Sequence, residues 1–306
     1  MHQAITSPRR RYWWHLTRWL LVQLLLLGCI TYFVVGYTVI VQLLTPRSLP
    51  LGASPASVGL TYETVPLTSH DGTALASWYI PSSNTQRALI VVHGKDSNRS
   101  LVLGSGTMTF AREMHEAGFA LLLLDLRAHG ESEGDYSTLG DQERWDVAAA
   151  IDWLSTQGYE KIGLLGVSMG GASVAETLAL HAEADAAIID STYPDLVPFL
   201  QQQFPHLTGL PTFFLPGSYL VGRLLTGADI PSVRPAHHAG QSGKPLLVIV
   251  GSEDSLVLPT MWDELDGSYP SVTRWTVAGA PHAGAYATTP DEYTARVLAF
   301  FDEQLE

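Results

Sequence analysis

The 306-residue sequence contains one cysteine, Cys29. No intrachain disulfide can form, and no cysteine-rich zinc site can be assembled. Acidic residues are missing from the first 47 positions, which carry Arg9, Arg10, Arg11, Arg18 and Arg47. Setting those five apart from the 17 Lys and Arg leaves 12 basic against 30 acidic residues, a net of −18 over the remainder. A body that acidic repels phosphate backbones, which argues against nucleic acid as a partner. There is no internal repeat and no long low-complexity tract, and an apolar share of 46% is ordinary for a globular chain. The length suits one α/β domain of roughly 250 residues with a short appendage.

Formal charge is also missing from the 26 residues between Trp19 and Leu44, which are rich in Leu, Val and Ile. About 20 such residues span a bilayer core, so the run is long enough for a membrane helix with several residues to spare. Tyr12, Trp13, Trp14 and Trp19 crowd its N-terminal edge, where amphipathic rings favour the headgroup layer. Four arginines precede the run and only Arg47 follows it closely. This bias predicts a single-pass anchor with a cytoplasmic N-terminus and an extracytoplasmic body. A cleavable signal peptide has an apolar core of only about 7–15 residues. Leu26-Leu27-Gly28-Cys29 resembles a lipoprotein signal, but the chain stays apolar after Cys29 instead of becoming a polar tether. A buried core helix would carry a polar stripe, and none interrupts the run. Residues 1–18 are then a cytoplasmic tail, 19–44 the anchor, 45–59 a linker with Pro46, Pro50, Gly52 and Pro55, and 60–306 the main domain.

In that domain, Thr61–Leu67 and Ala74–Ile80 flank the turn-like His70-Asp71-Gly72 and predict an antiparallel hairpin. Continuous apolar runs follow at Ala88–Val92, Ala120–Leu124, Ile162–Leu165, Ala187–Ile189 and Leu246–Val250, with a last strand at Thr273–Val277. Runs of this length suit strands buried on both faces of a parallel sheet. Gln142–Gln157, Ala172–Ala182 and Asp291–Leu305 carry helical patterns between and after them. Alternating β and α elements predict an α/β fold, a mostly parallel sheet flanked by helices. Tyr193–Gly240, with seven prolines and several aromatics, breaks the rhythm and predicts an inserted lid.

Gly166-Val167-Ser168-Met169-Gly170 follows the run Ile162–Leu165 and precedes an Ala-rich helix. Strand, Gly-x-Ser-x-Gly and helix together predict a sharp elbow that presents Ser168 as a nucleophile, with the helix N-terminus favouring negative charge nearby. With His93-Gly94-Lys95 and the Asp125–Ser132 stretch DLRAHGES, in that order, the chain resembles the alpha/beta-hydrolase superfamily from about Leu60 to Phe301. The likeness points to its membrane-anchored or secreted esterase and serine-peptidase branch. Ala128 departs from the glycine many relatives carry there, which is tolerable unless its φ is positive.

The resemblance implies roles for individual residues. The backbone N–H groups of Lys95 and Met169 would form the oxyanion hole. His282, after the last strand, falls where the family places its base, and His93 reads as structural. Asp254, past the strand Leu246–Val250, fits the acid position; Asp190 is its rival and Glu253 a solvated neighbour. Asp146 and Asp152 read as solvated helix carboxylates, and His129, His181, His206, His237 and His238 as surface or structural. The implied chemistry is acyl transfer to Ser168 without metal or organic cofactor. Its expected substrate is a small-molecule or lipid ester or thioester, with an amide or peptide as runner-up and a silent binding protein as the contrasting class. Phe199, Phe204, Phe213, Phe214 and Tyr219 in the lid suggest an apolar acyl pocket.

Overall fold

The computed structural model describes residues 8–83, 85–265 and 267–306. Its first helix, α1 (Pro8–Leu44), takes in the arginine cluster as well as the uncharged run, and Tyr12–Leu44 is long and apolar enough to cross a membrane. Pro46 accounts for the stop, since a residue preceding proline is driven out of the helical region. Through most of its length α1 projects exposed apolar side chains, but Val39, Ile40 and Leu44 are buried.

Among the described residues there are eight strands, β1 (Glu63–Thr68), β2 (Ala74–Ile80), β3 (Arg87–Val92), β4 (Ala120–Leu124), β5 (Lys161–Val167), β6 (Ala184–Asp190), β7 (Leu246–Gly251) and β8 (Val272–Val277). They form one sheet in the order β1-β2-β4-β3-β5-β6-β7-β8. The hairpin β1–β2 and the β2–β4 pair are antiparallel, and every other neighbouring pair is parallel. The central strands are buried on both faces, which is why they read as unbroken apolar runs.

Helices α3 (Glu143–Thr156) and α4 (Met169–Leu180) pack on one face, whereas α2 (Thr107–Glu116) and α9 (Pro290–Gln304) pack on the other. The short α8 (Ala285–Thr288) precedes α9. Nothing in the sequence pattern singled out α2, a ten-residue helix whose Met108, Phe110, Ala111 and Met114 are buried between polar neighbours. The insertion between β6 and β7 folds into α5 (Leu196–Thr208), α6 (Leu215–Thr226) and α7 (Pro235–Ser242).

Residues 45–59 are pinned to the sheet domain. The Arg47 N–H donates to Asp96, the Gly52 N–H to Ser100 Oγ, and the Asn98 amide to the carbonyls of Leu49 and Pro50. One carboxylate contradicts its sequence reading. Asp146 is not solvated: it is fully buried and takes a two-pronged ion pair from Arg127, at 2.6 Å to Nη2 and 3.0 Å to Nε. The helical period places Asp146 on the inner side of α3, where the Arg127 fork supplies the hydrogen bonds a buried carboxylate requires. Asp152, one and a half turns on, is exposed.

Candidate active site

β5 delivers the chain into α4 through Ser168, whose backbone is forced to φ 53° and ψ −119°. A non-glycine residue held at positive φ costs of order 1–3 kcal/mol and persists only where the surroundings impose it. Here they do. A Cβ on Gly166 would sit 2.4 Å from the Gly170 carbonyl oxygen, and one on Gly170 would sit 2.3 Å from that of His93. The turn is therefore closed by backbone contacts alone, and Ser168 stands at its apex.

His282 Nε2 lies 3.0 Å from Ser168 Oγ, and His282 Nδ1 lies 2.8 Å from Asp254 Oδ2. Asp254 is almost fully buried, whereas the imidazole remains a quarter exposed. The other carboxylate oxygen, Oδ1, accepts the N–H groups of Leu256 and Val257 at 2.9 and 2.8 Å. Those bonds fix the carboxylate plane. With Asp254 accepting from Nδ1–H, Nε2 presents its lone pair to the serine hydroxyl.

Asp190 ends β6 behind this row. It does not bond His282; it accepts from Ser191 Oγ at 2.9 Å and from the Tyr293 hydroxyl at 3.2 Å. Complete burial pushes its pKa up to about 6. Ser191 Oγ in turn accepts the Ala283 N–H, tying the segment beside His282 to the end of β6. This brace has no signature in the sequence, because Ser191 and Tyr293 lie 102 positions apart.

His93 is buried, donates from Nδ1 to the Gly94 carbonyl and accepts the Leu126 N–H on Nε2. Burial, with His129 opposite, holds its pKa down at about 3, so it stays neutral and structural. His129 is buried too, bonding the Arg127 carbonyl and the Asp96 N–H. His238 pairs with Glu176, His237 with the Tyr269 hydroxyl, and His181 with Asp152 and Glu183; His206 and Glu253 are exposed. None of these reaches Ser168. Lys95 and Met169 flank the serine, and among the described residues their N–H groups donate to no protein acceptor. Gly94 permits the close approach: a Cβ there would lie 3.1 Å from the Ser168 Cβ.

Ala128 has φ 61°, the left-handed region in which its missing glycine would have been unstrained. The loop holds nonetheless, because the Asp125 carboxylate gathers the Arg99 N–H and guanidinium together with the Glu131 N–H.

A cavity of about 340 Å³ opens beside Ser168 and His282. Tyr193, Phe199, Leu200 and Leu207 line it from the insertion after β6, and Leu256 and Val257 from beyond β7. Of the five lid aromatics singled out in the sequence, only Phe199 lines it. Phe204 is in the core, Phe213 is 69% exposed, Phe214 stacks on Tyr32, and Tyr219 packs against the core cluster. Val39, Gln42 and Leu43 of α1 complete the wall, a role that no motif in the sequence announces. The only hint was surplus length, since the uncharged run exceeds what a bilayer requires.

The fold recurs in known proteins. The esterase Pf2001 of Pyrococcus furiosus superposes with a TM-score of 0.70 at 25% identity, over 86% of this chain and 98% of that one. The chain has the alpha/beta-hydrolase fold. Residues 56–203 match the model of the X-Pro dipeptidyl-peptidase (S15) family. The uncharacterized protein YfhR of Escherichia coli O157:H7 is 30% identical over 210 residues, and the chain spans 64% of that relative's length. The uncharacterized membrane protein YNL320W of Saccharomyces cerevisiae is 25% identical over 158 residues, about half of each chain. The hydrolase fold thus extends over nearly everything but α1.

Proposed function

We propose that this hydrolase is a membrane-anchored serine esterase in which Ser168 attacks the carbonyl of a carboxylic ester or thioester. The observation that carries the proposal is the hydrogen-bonded row Asp254–His282–Ser168 opening on a largely apolar cavity. His282 Nε2 takes the hydroxyl proton as Ser168 Oγ bonds to the acyl carbon. Asp254 holds the ring in its tautomer and stabilises the imidazolium. The N–H groups of Lys95 and Met169 receive the oxyanion, an interaction worth roughly 2.7–4 kcal/mol per donor. His282 then returns the proton to the leaving alcohol or thiol, and water, activated by the same imidazole, frees the acid. In this reading α1 spans the bilayer with the arginine cluster on the cytoplasmic side.

The S15 match favours a peptide substrate as the second reading. A dipeptidyl-peptidase must bind a substrate ammonium, which calls for a free carboxylate on the cavity wall. Asp96 stands there, but it is engaged with the Lys95 ammonium and the Arg47 N–H. The cavity therefore suits an acyl chain better than an N-terminus.

The test uses the full chain in detergent micelles. A fluorophosphonate probe is expected to label wild type and not Ser168→Ala, and p-nitrophenyl esters are expected to outpace aminoacyl-prolyl anilides. Labelling absent from folded wild type would sink the nucleophile; anilides turned over faster than every ester would select the peptidase.

A further inference from the structure

Tyr32 of α1 reaches into the insertion. Its hydroxyl donates to the Phe213 carbonyl at 3.1 Å and accepts the Gly217 N–H at 2.9 Å, and its ring stacks on Phe214. One turn on, Gly36 lies against the Gly217 backbone, and Ile40 lies against Gly222. Helices α1 and α6 therefore run side by side in the same direction, with Phe213 beside Tyr32 and Gly222 beside Ile40. Glycines on α1 and α6 let the two backbones approach closely, as in helix pairs within membranes.

This contact fixes a depth. If α1 spans the bilayer, the ring cluster ending at Trp19 marks the cytoplasmic interface. From Trp19 to Tyr32 there are 13 residues, about 20 Å of helix at 1.5 Å per residue. A hydrocarbon core is about 30 Å thick. Tyr32 then lies about 10 Å short of the far surface, and tilting the helix only deepens it. Whatever is bonded to Tyr32 shares that depth.

The composition of the insertion agrees independently. In a body with net charge −18, no Asp, Glu, Lys or Arg occurs between Leu196 and Gly222. Leu207, Phe213 and Leu220 are 47–69% exposed. Arg223, the first charge after this stretch, comes one residue past Gly222, at the level of Ile40 where the helix leaves the core. The cavity wall includes Leu207 and Val39. An open cleft of about 640 Å³ shares Gln42, Lys95 and Asp96 with the cavity and carries Arg47 beyond them.

We propose that the segment from Leu207 to Leu220 is inserted in the bilayer beside α1, and that the cavity receives the acyl chain of a membrane-resident ester through this side, its polar remainder lying toward Arg47. The proposal rests on α1 being a membrane span and on Ser168 being the nucleophile. It names the substrate class as an amphiphile held in the lipid, not a soluble ester.

Full-length protein in phosphatidylcholine nanodiscs separates these statements. A spin label on the native Cys29 reports on α1, and one on Cys29→Ala/Phe213→Cys reports on the insertion. Relaxation by oxygen against that by a water-soluble nickel chelate gives the depth of each. Both labels are expected to be oxygen-accessible and nickel-protected. A nickel-accessible label at position 213 beside a protected Cys29 overturns the insertion and leaves the anchor standing; two nickel-accessible labels overturn the anchor itself. For the substrate, Phe213→Asp and Leu220→Asp are compared with wild type on p-nitrophenyl butyrate in solution and p-nitrophenyl palmitate dissolved in vesicles. Turnover of the soluble ester is expected within twofold of wild type, which also reports folding, with a loss of tenfold or more on the vesicle ester. Equal ratios on the two substrates refute delivery from the membrane.

Discussion

Asp190 and Asp254 show how two carboxylates near the same imidazole are placed in different environments. Asp254 sits on the turn after β7 with two backbone N–H donors on one oxygen and His282 on the other. Asp190 lies at the sealed end of β6, bonded only by neutral hydroxyls, and burial lifts its pKa from 3.8 to about 6. A carboxyl raised on folding contributes its stability while protonated and loses it as the pH rises through the folded value. A shift of about two units corresponds to about 3 kcal/mol at ~1.4 kcal/mol per unit. Wild type is therefore expected to lose about that much relative to Asp190→Asn between pH 4 and pH 7. Thermal midpoints of both proteins in detergent, followed across that range, check it: the gap must move in favour of the variant as pH rises. Parallel curves would place the ionised carboxylate in a solvated setting. In the sequence both follow a strand, and only the acid position implied by the family resemblance favours Asp254 over Asp190. The donors that distinguish the two environments became visible only with Leu256, Val257, Ser191 and Tyr293 in place.

Among elements, the strands were the most legible because burial on both faces writes itself as a continuous apolar run, from Ala120–Leu124 to Leu246–Gly251. Helices with mixed surfaces were less so. α2 hides a narrow apolar stripe among Thr, Arg, Glu and His, and on α3 the sequence did not show that Asp146 faces inward to Arg127. The loop from Asp125 to Ser132 carries a third lesson. Its sequence departure at Ala128 is compatible with the fold, but only at a left-handed φ of 61° that an alanine resists. Left-handed backbone costs an L-residue about 1–2 kcal/mol that glycine escapes, offset in part by glycine's extra freedom when unfolded. Ala128→Gly is expected to stabilise the protein by about 0.5–1 kcal/mol, a rise of about 1–4 °C in Tm for a chain of this size. Unchanged or lower Tm, measured by calorimetry, would show that the loop relaxes around the alanine and stores nothing.

At the scale of the whole molecule, α1 packs on the domain that carries Ser168 and is also long and apolar enough to cross a bilayer. The insertion was recognisable from its prolines and broken rhythm, but not its docking on α1, because single small residues such as Gly36 and Gly217 announce no partner. Ile40 and Leu44 are 1% exposed or less, and the Leu44 carbonyl accepts both the backbone N–H and the hydroxyl of Ser137. Each such side chain contributes about 1.5–3 kcal/mol on burial, against a total stability of about 5–15 kcal/mol for a typical domain. Removing residues 1–44 would strip these contacts, open the wall at Val39, Gln42 and Leu43, and uncover the α6 face that Tyr32 covers. The truncated chain is therefore expected to aggregate, or to fold with a Tm at least 10 °C below that of the full chain and a flattened preference among acyl chain lengths. Expression of residues 45–306 with a cleavable secretion signal, followed by size-exclusion chromatography and the p-nitrophenyl ester series, reads both effects. A monodisperse product with the full chain's Tm and chain-length profile would reduce α1 to a tether, and the cavity would then have to be complete without it.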